Sequence, residues 1–177
     1  MNLLVTGANG FVGSEIINKA LNGADFKVRA LARTSTRRTP QECEVFHVKS
    51  LFEEKLIKKA MAGVDVVIHT AAHVHQMKEV DKRDNLPDYR SINVDATMNL
   101  ARWASSMGVR RFVFLSSVKA AGESSIKGFP LRVNDKDCPR DSYGISKMEA
   151  EIKLLEYAKQ TELEVVIIRP PLVYGKG

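Results

Sequence analysis

Cysteine is scarce in this chain: Cys43 and Cys138 stand far apart among 177 residues, with no Cys-x-x-Cys spacing. Such a pair reads as two free thiols, which excludes a disulfide scaffold and a cysteine-based metal or redox centre. Long apolar runs are missing too, and none approaches the roughly 18 residues that span a bilayer. The opening Met1-Asn2-Leu3-Leu4-Val5 has no basic segment ahead of a separate apolar one, so it does not read as a secretory signal. A cytoplasmic protein with no membrane partner is the expectation. The net charge of +6 is spread along the chain, apart from Arg33, Arg37 and Arg38. No basic helix with interleaved aromatics accompanies it, so nucleic acid is not expected as a partner. Phosphates of a small ligand account for a modest positive balance as well. His69, His73 and His75 have no companion carboxylate motif, and no metal is expected.

What is present is ordinary for a globular protein: 44% hydrophobic and 27% charged residues. Strand and helix patterns alternate. Residues 2–6, 26–33, Glu44–Val48, Val64–His69, Arg111–Leu115 and Glu164–Arg169 read as strands; 12–22, 53–62, 91–107 and 142–160 read as helices. Residues 73–87 and 116–140 read as loops. This order predicts an α/β fold, a doubly wound parallel sheet of about six strands with helices on both faces. With no repeat, low-complexity tract or linker, residues 1–177 form one domain. The chain stops in Pro170-Pro171-Leu172-Val173-Tyr174-Gly175-Lys176-Gly177, just after a strand. It reads as the N-terminal part of something longer.

Two motifs carry chemistry. The first is Gly7-x-x-Gly10-x-x-Gly13, lying between the first strand and the first helix. One glycine permits a tight turn, another lets backbone approach a pyrophosphate, and a third lets helix and strand pack closely. The helix start then offers unpaired N–H groups to the phosphates. Gly7, Asn9, Gly10, Phe11, Val12 and Gly13 are therefore cofactor-binding candidates in a Rossmann-type fold. The fingerprint usually has an acid about 20 residues on, for a ribose hydroxyl. Arg33 stands there instead, and no acid lies between Lys27 and Arg38. An arginine suits a 2′-phosphate, which favours NADP over NAD; a solvated strand-end charge is the plainer reading.

The second motif is Tyr143-Gly-Ile-Ser-Lys147. Residues four apart share a helix face, which aims a phenol and an ammonium into one space. A cation near a phenol favours the phenolate and improves it as a general acid/base.

With these motifs the chain resembles the extended short-chain dehydrogenases/reductases, close to the branch of nucleotide-sugar epimerases and 4-keto-sugar reductases. The likeness is carried by Thr6–Gly13, His69-Thr70-Ala71-Ala72, Ser116-Ser117-Val118, Tyr143–Lys147 and Arg169-Pro170-Pro171-Leu172-Val173-Tyr174-Gly175. The resemblance implies Tyr143 as the general acid/base and Lys147 as the ribose ligand that lowers its pKa. It implies Ser117, with Ser116 one register back, as the hydrogen bond to the reacting oxygen. Asn93 would serve the helix and a proton relay. Ala71, Ala72, Pro170 and Val173 would line the cofactor. The family's adenine-contacting acid is replaced by Ser50, beside Leu51. The implied activity is NAD(P)-dependent epimerisation or reduction at C4 of a nucleotide-linked hexose, as in surface-polysaccharide synthesis, by a protein that dimerises. The missing C-terminal lobe would choose the substrate. The same nucleotide-binding half would also serve a reductase of a non-sugar ketone or aldehyde, or an NADP-binding protein without catalysis.

Overall fold

The computed structural model describes residues 1–23, 25–33, 42–74, 85–122, 124–125, 127–132 and 139–175. Cys138, His75, Arg37 and Arg38 lie outside these residues. Among the described residues six strands run in chain order: β1 (Asn2–Thr6), β2 (Lys27–Ala32), β3 (Glu44–His47), β4 (Val66–His69), β5 (Arg111–Leu115) and β6 (Glu164–Ile168). They form one sheet in the order β3-β2-β1-β4-β5-β6, and every pairing is parallel. The order reverses between β1 and β4, which opens a crevice at the C-terminal ends of those strands.

Side chains alternate across the sheet. Leu4, Val67, Phe112 and Phe114 face a core shared with α2 (Glu54–Met61), α4 (Thr97–Ser106) and α5 (Ser142–Ala158). Leu3, Val5, Val28, Ala30 and Val66 face the other way, onto Ile17 and Ala20 of α1 (Phe11–Leu21). Register sets one row of consequence. Thr6 pairs with His69, and His69 with Phe114, so the three stand side by side.

Most expected elements appear with ends moved by a residue or two. Two differences matter. The expected helix over 91–107 is two pieces, a π-helical turn over Ser91–Ala96 and α4, and α3 (Leu86–Arg90) runs directly into it from the expected loop. A π turn inserts a residue into the helical ladder and often marks a functional site. Within the expected loop over 116–140, Val118–Ala121 forms a 3-10 turn capped by Ser117, whose side chain accepts from the Lys119 backbone N–H. Among the described residues, no helix is long and apolar enough to cross a membrane.

Candidate active site

The turn after β1 is made of backbone. Gly7 has φ 68°. A Cβ on Gly7 would lie 2.6 Å from the Ala71 nitrogen, and one on Gly13 would lie 2.3 Å from the Gly7 oxygen. Side chains are thereby excluded at both positions, where backbone packs directly against backbone. Gly10 caps α1 without a side-chain bond, and no acid occupies the first helical turn. The positive end of the helix therefore keeps its preference for an anion. The tail after β6 reaches this turn as well: a Cβ on Gly175 would lie 3.2 Å from Cζ of Phe11. These features fit the pyrophosphate of a dinucleotide. Arg33 is exposed just past the end of β2. Ala71 and Ala72 are half-buried beyond β4. The Pro170 carbonyl accepts from Val118, and Val173 is 46% exposed. Ser50 has a local task, its hydroxyl accepting from Phe52 (3.2 Å), while Leu51 is buried.

His69 holds the turn from below. Its Nδ1 is 2.6 Å from Thr6 Oγ1, and its Nε2 is 2.9 Å from Thr97 Oγ1. Thr70 Oγ1 donates to the Thr6 carbonyl at 2.7 Å. Burial pushes the imidazole pKa down to about 3, helped by the charge of Lys147. The ring is therefore neutral at ordinary pH, and ties the ends of β1 and β4 to α4. Both its nitrogens are occupied, and among the described residues no group of His, Cys, Asp and Glu assembles to hold a metal.

The catalytic candidates meet between β5 and α5. Asp141 caps α5, accepting from the Gly144 N–H at 2.6 Å. Tyr143 stands in the first turn, and the Ser117 side chain is the hydrogen-bonding group that acts on its phenol. Lys147 follows one turn later and is 1% exposed. Its ammonium donates to the Leu115 carbonyl at 2.6 Å and lies 4.1 Å from the centre of the Phe114 ring. Burial lowers its pKa to about 7, partly offset by Glu151. Glu151 is itself buried and held by Arg169 through contacts of 2.5–3.1 Å.

One expectation is corrected here. The phenol is not lowered by Lys147: its pKa is raised, chiefly by burial. The Ser117 hydrogen bond and Lys119 oppose that rise, while Asp141 and Tyr89 add to it. Sharing a helix face did not make Lys147 the phenol's cation, because the Leu115 carbonyl and the Phe114 face draw its ammonium into the sheet.

Asn93 sits in the π turn, 1% exposed. Its Oδ1 accepts from the His73 N–H at 2.7 Å; its Nδ2 donates to the His73 carbonyl and to Ser146 Oγ, both at 3.0 Å. Ser146 Oγ in turn donates to the Tyr143 carbonyl at 2.8 Å. The amide thus stitches the loop after β4 to α5, the structural half of its expected role. Ser116 Oγ is buried with no hydrogen-bond partner in the structure; Ser117 is the serine that meets the phenol.

Sequence reading missed Tyr89, Lys119, Glu151 and Arg169. Tyr89 is buried, with ring-centre distances of 4.6 Å to His73 and 6.4 Å to Tyr143. The one available signal was the spacing of Tyr143, Lys147 and Glu151 at successive helical turns.

An open parallel sheet, a glycine turn after its first strand, and a Tyr-x-x-x-Lys helix beside a serine define a nicotinamide-dinucleotide enzyme fold. The chain belongs to the NAD dependent epimerase/dehydratase family, whose model matches residues 3–177. It is 36% identical over 176 residues to a UDP-glucose 4-epimerase of Vibrio cholerae, covering 99% of this chain and 53% of that protein. It is 30% identical over 183 residues to the N-acetyl-alpha-D-glucosaminyl-diphospho-ditrans,octacis-undecaprenol 4-epimerase of Escherichia coli O157:H7, covering 99% of this chain and 50% of that protein. Among solved structures, a Thermus thermophilus UDP-glucose 4-epimerase in complex with NAD superimposes with a TM-score of 0.82 at 26% identity, over 96% of this chain and 54% of that one. The chain spans about half the length of the curated relatives it matches.

Proposed function

We propose that this chain is the dinucleotide-binding and proton-transfer part of an enzyme that epimerises or reduces a nucleotide-linked hexose at C4. The observation that carries this reading is the turn after β1, too tight for any side chain at Gly7 and Gly13, in a sheet whose β5 end takes the ammonium of the Tyr-x-x-x-Lys helix at 2.6 Å. The likeness to two sugar 4-epimerases supports the substrate class. A bound nicotinamide supplies the hydride chemistry. The chain's own work is proton transfer and positioning. Tyr143 Oη takes or returns the proton of the sugar hydroxyl, and Ser117 Oγ holds the same oxygen. His69 and the glycine turn fix the cradle, and Lys147 stands on the inner side of α5 where ribose hydroxyls would meet it.

No acid stands between Lys27 and Arg38 in the sequence, and we infer that Arg33 admits a 2′-phosphate and favours NADP, although the Thermus relative was solved with NAD. Fluorescence titration of this chain with NADPH and NADH checks it; tighter binding of NADH would overturn the preference. We also propose a homodimer through α4 and α5, where Ile152 and Leu155 are 49% and 48% exposed.

Tyr143→Phe in the whole protein should lower turnover about 10²–10⁴-fold, the range for a lost general acid/base. Dinucleotide binding should be kept. Undiminished turnover on UDP-hexoses would remove Tyr143 from the reaction.

A further inference from the structure

A second lysine stands at the phenol, and it is not the one in the Tyr-x-x-x-Lys motif. We propose that Lys119 is a positioning residue for proton transfer at Tyr143: its ammonium, tethered by Asp141, supplies the positive charge that faces the phenol from the loop after β5. The proposal rests on Tyr143 as the proton-transfer group but not on the identity of the sugar.

The geometry begins at Ser117. Its Oγ caps the 3-10 turn by accepting from the Lys119 N–H at 3.2 Å, and it also meets the Tyr143 phenol. One short segment therefore fixes both the phenol's hydrogen-bond partner and the root of the lysine. The Lys119 ammonium forms an ion pair with Asp141. Asp141 in turn caps the helix that carries Tyr143 two residues later. The two segments are pressed together: a Cβ on Gly144 would lie 2.8 Å from the Lys119 carbonyl oxygen. Asp141 thus ties the lysine to the start of α5 and holds it beside the tyrosine.

Among the described residues, the other charged and titratable groups around Tyr143 named below are committed elsewhere or act against ionisation. Lys147 and Glu151, on its own helix, point inward, to the Leu115 carbonyl with Phe114, and to Arg169 of the β6 end. Tyr89 approaches from α3 with His73 behind it. Arg90 of α3 and Glu149 of α5 pair with each other at 2.6 Å. Of the charges that act on the phenol, Lys119 favours the phenolate and Asp141 disfavours it. The two members of one ion pair therefore push Tyr143 in opposite directions, with Asp141 also holding Lys119 in place. Their side chains are 46% and 37% exposed, so salt screens both effects.

Alkaline titration of phenolate absorbance in this chain reads the effect directly. The chain has four tyrosines, and Tyr143→Phe identifies the component due to Tyr143. Lys119→Met should move that midpoint upward. Asp141→Asn keeps a good helix cap and an amide oxygen that still accepts from the Lys119 ammonium while removing the negative charge, and should move it downward. Lys119→Arg stays charged throughout the titration and should hold the midpoint at or below that of the unaltered chain. In 1 M salt, where the screening length is about 3 Å, both shifts should shrink. Far-UV circular dichroism at each midpoint reports that the variants remain folded. An unmoved midpoint in Lys119→Met, or shifts of the same sign in Lys119→Met and Asp141→Asn, would reduce the pair to a structural clasp and overturn the proposal. Neither outcome would touch the sugar assignment, which is read from turnover.

Discussion

The two sides of the site are held by different physics. On the cradle side, between β1 and α1, selectivity comes from what is missing: side chains at Gly7 and Gly13, and an acid in the first turn of α1. On the catalytic side, between β5 and α5, it comes from titratable groups kept out of water: Lys147, Glu151 and the neighbouring imidazole of His69 are each at most 3% exposed. A backbone cradle tolerates little change in shape but carries no titrating group. A buried cluster tolerates small changes in shape but depends on pH. The difference teaches where each side should break.

The cradle should break most severely. Gly13→Ala drives a Cβ against the Gly7 carbonyl, a backbone atom that cannot swing aside. The expected cost is about 3 kcal/mol, the upper part of the usual over-packing range. Dinucleotide binding should be lost with it, while stability retains no new dependence on pH. Urea unfolding and NADPH fluorescence titration read the two effects; a variant that binds as well as the parent would show that the turn can open.

The catalytic side should instead show itself in pH. His69 has a folded pKa near 3, below the ordinary 6.5. The unfolded chain takes up its proton first as pH falls, so stability should decline from about pH 6.5 downward, by at most about 1.4 kcal/mol per pH unit. Lys147 is also depressed, to about 7 from 10.5. Its unfolded form holds the proton longer, so its contribution makes stability rise with pH between those values. Lys147→Met should flatten the alkaline rise and His69→Gln the acid decline. Urea midpoints across pH 4–10 separate the two windows, and a profile unaltered by Lys147→Met would contradict its burial.

A smaller effect is expected one turn further along α5. Glu151→Gln leaves Arg169, 27% exposed, without its bidentate partner. Breaking a fully buried pair costs about 3–5 kcal/mol, and the partial exposure of Arg169 reduces this to about 1–2 kcal/mol. The Lys147 ammonium also loses a neighbouring carboxylate, so its pKa should fall further and the alkaline window widen. Thermal melts at pH 7 and 9 test both parts; a loss of stability without any change in the pH profile would leave Glu151 as a tether for Arg169 alone.

The cradle was legible in the sequence because its information is local. Three glycines at fixed spacing between an apolar strand and a helix state the turn in full, and Arg111–Leu115 needed only its own apolar run. The catalytic side was half legible. Tyr143, Lys147 and Ser117 were found as motif residues, but their electrostatics depends on what the fold brings from elsewhere. Phe114 and the Leu115 carbonyl, which turn Lys147 inward, lie on a strand 32 residues before it in the chain. Lys119 reaches Asp141 across 22 residues through a loop whose 3-10 turn has no strong periodicity. The π turn at Asn93 was hidden because the apolar spacing on either side of it continues as in an ordinary helix.

The two adjacent serines give the smallest and finest test of the same contrast. Ser116 Oγ is buried without a hydrogen-bond partner in the structure. Leaving a buried hydroxyl unsatisfied costs about 1–3 kcal/mol, so Ser116→Ala should be neutral or stabilising by up to about 1 kcal/mol once the lost packing is counted. Ser117→Ala removes the hydroxyl that favours the phenolate and should move the Tyr143 titration upward; it also removes the cap of the 3-10 turn, which should cost about 1 kcal/mol in urea unfolding. The register of the motif therefore has a physical signature: one serine affects only the stability of the fold, and its neighbour alone affects the ionisation of the tyrosine. If Ser116→Ala moved the Tyr143 midpoint and Ser117→Ala did not, the serine that serves the tyrosine would be the earlier one.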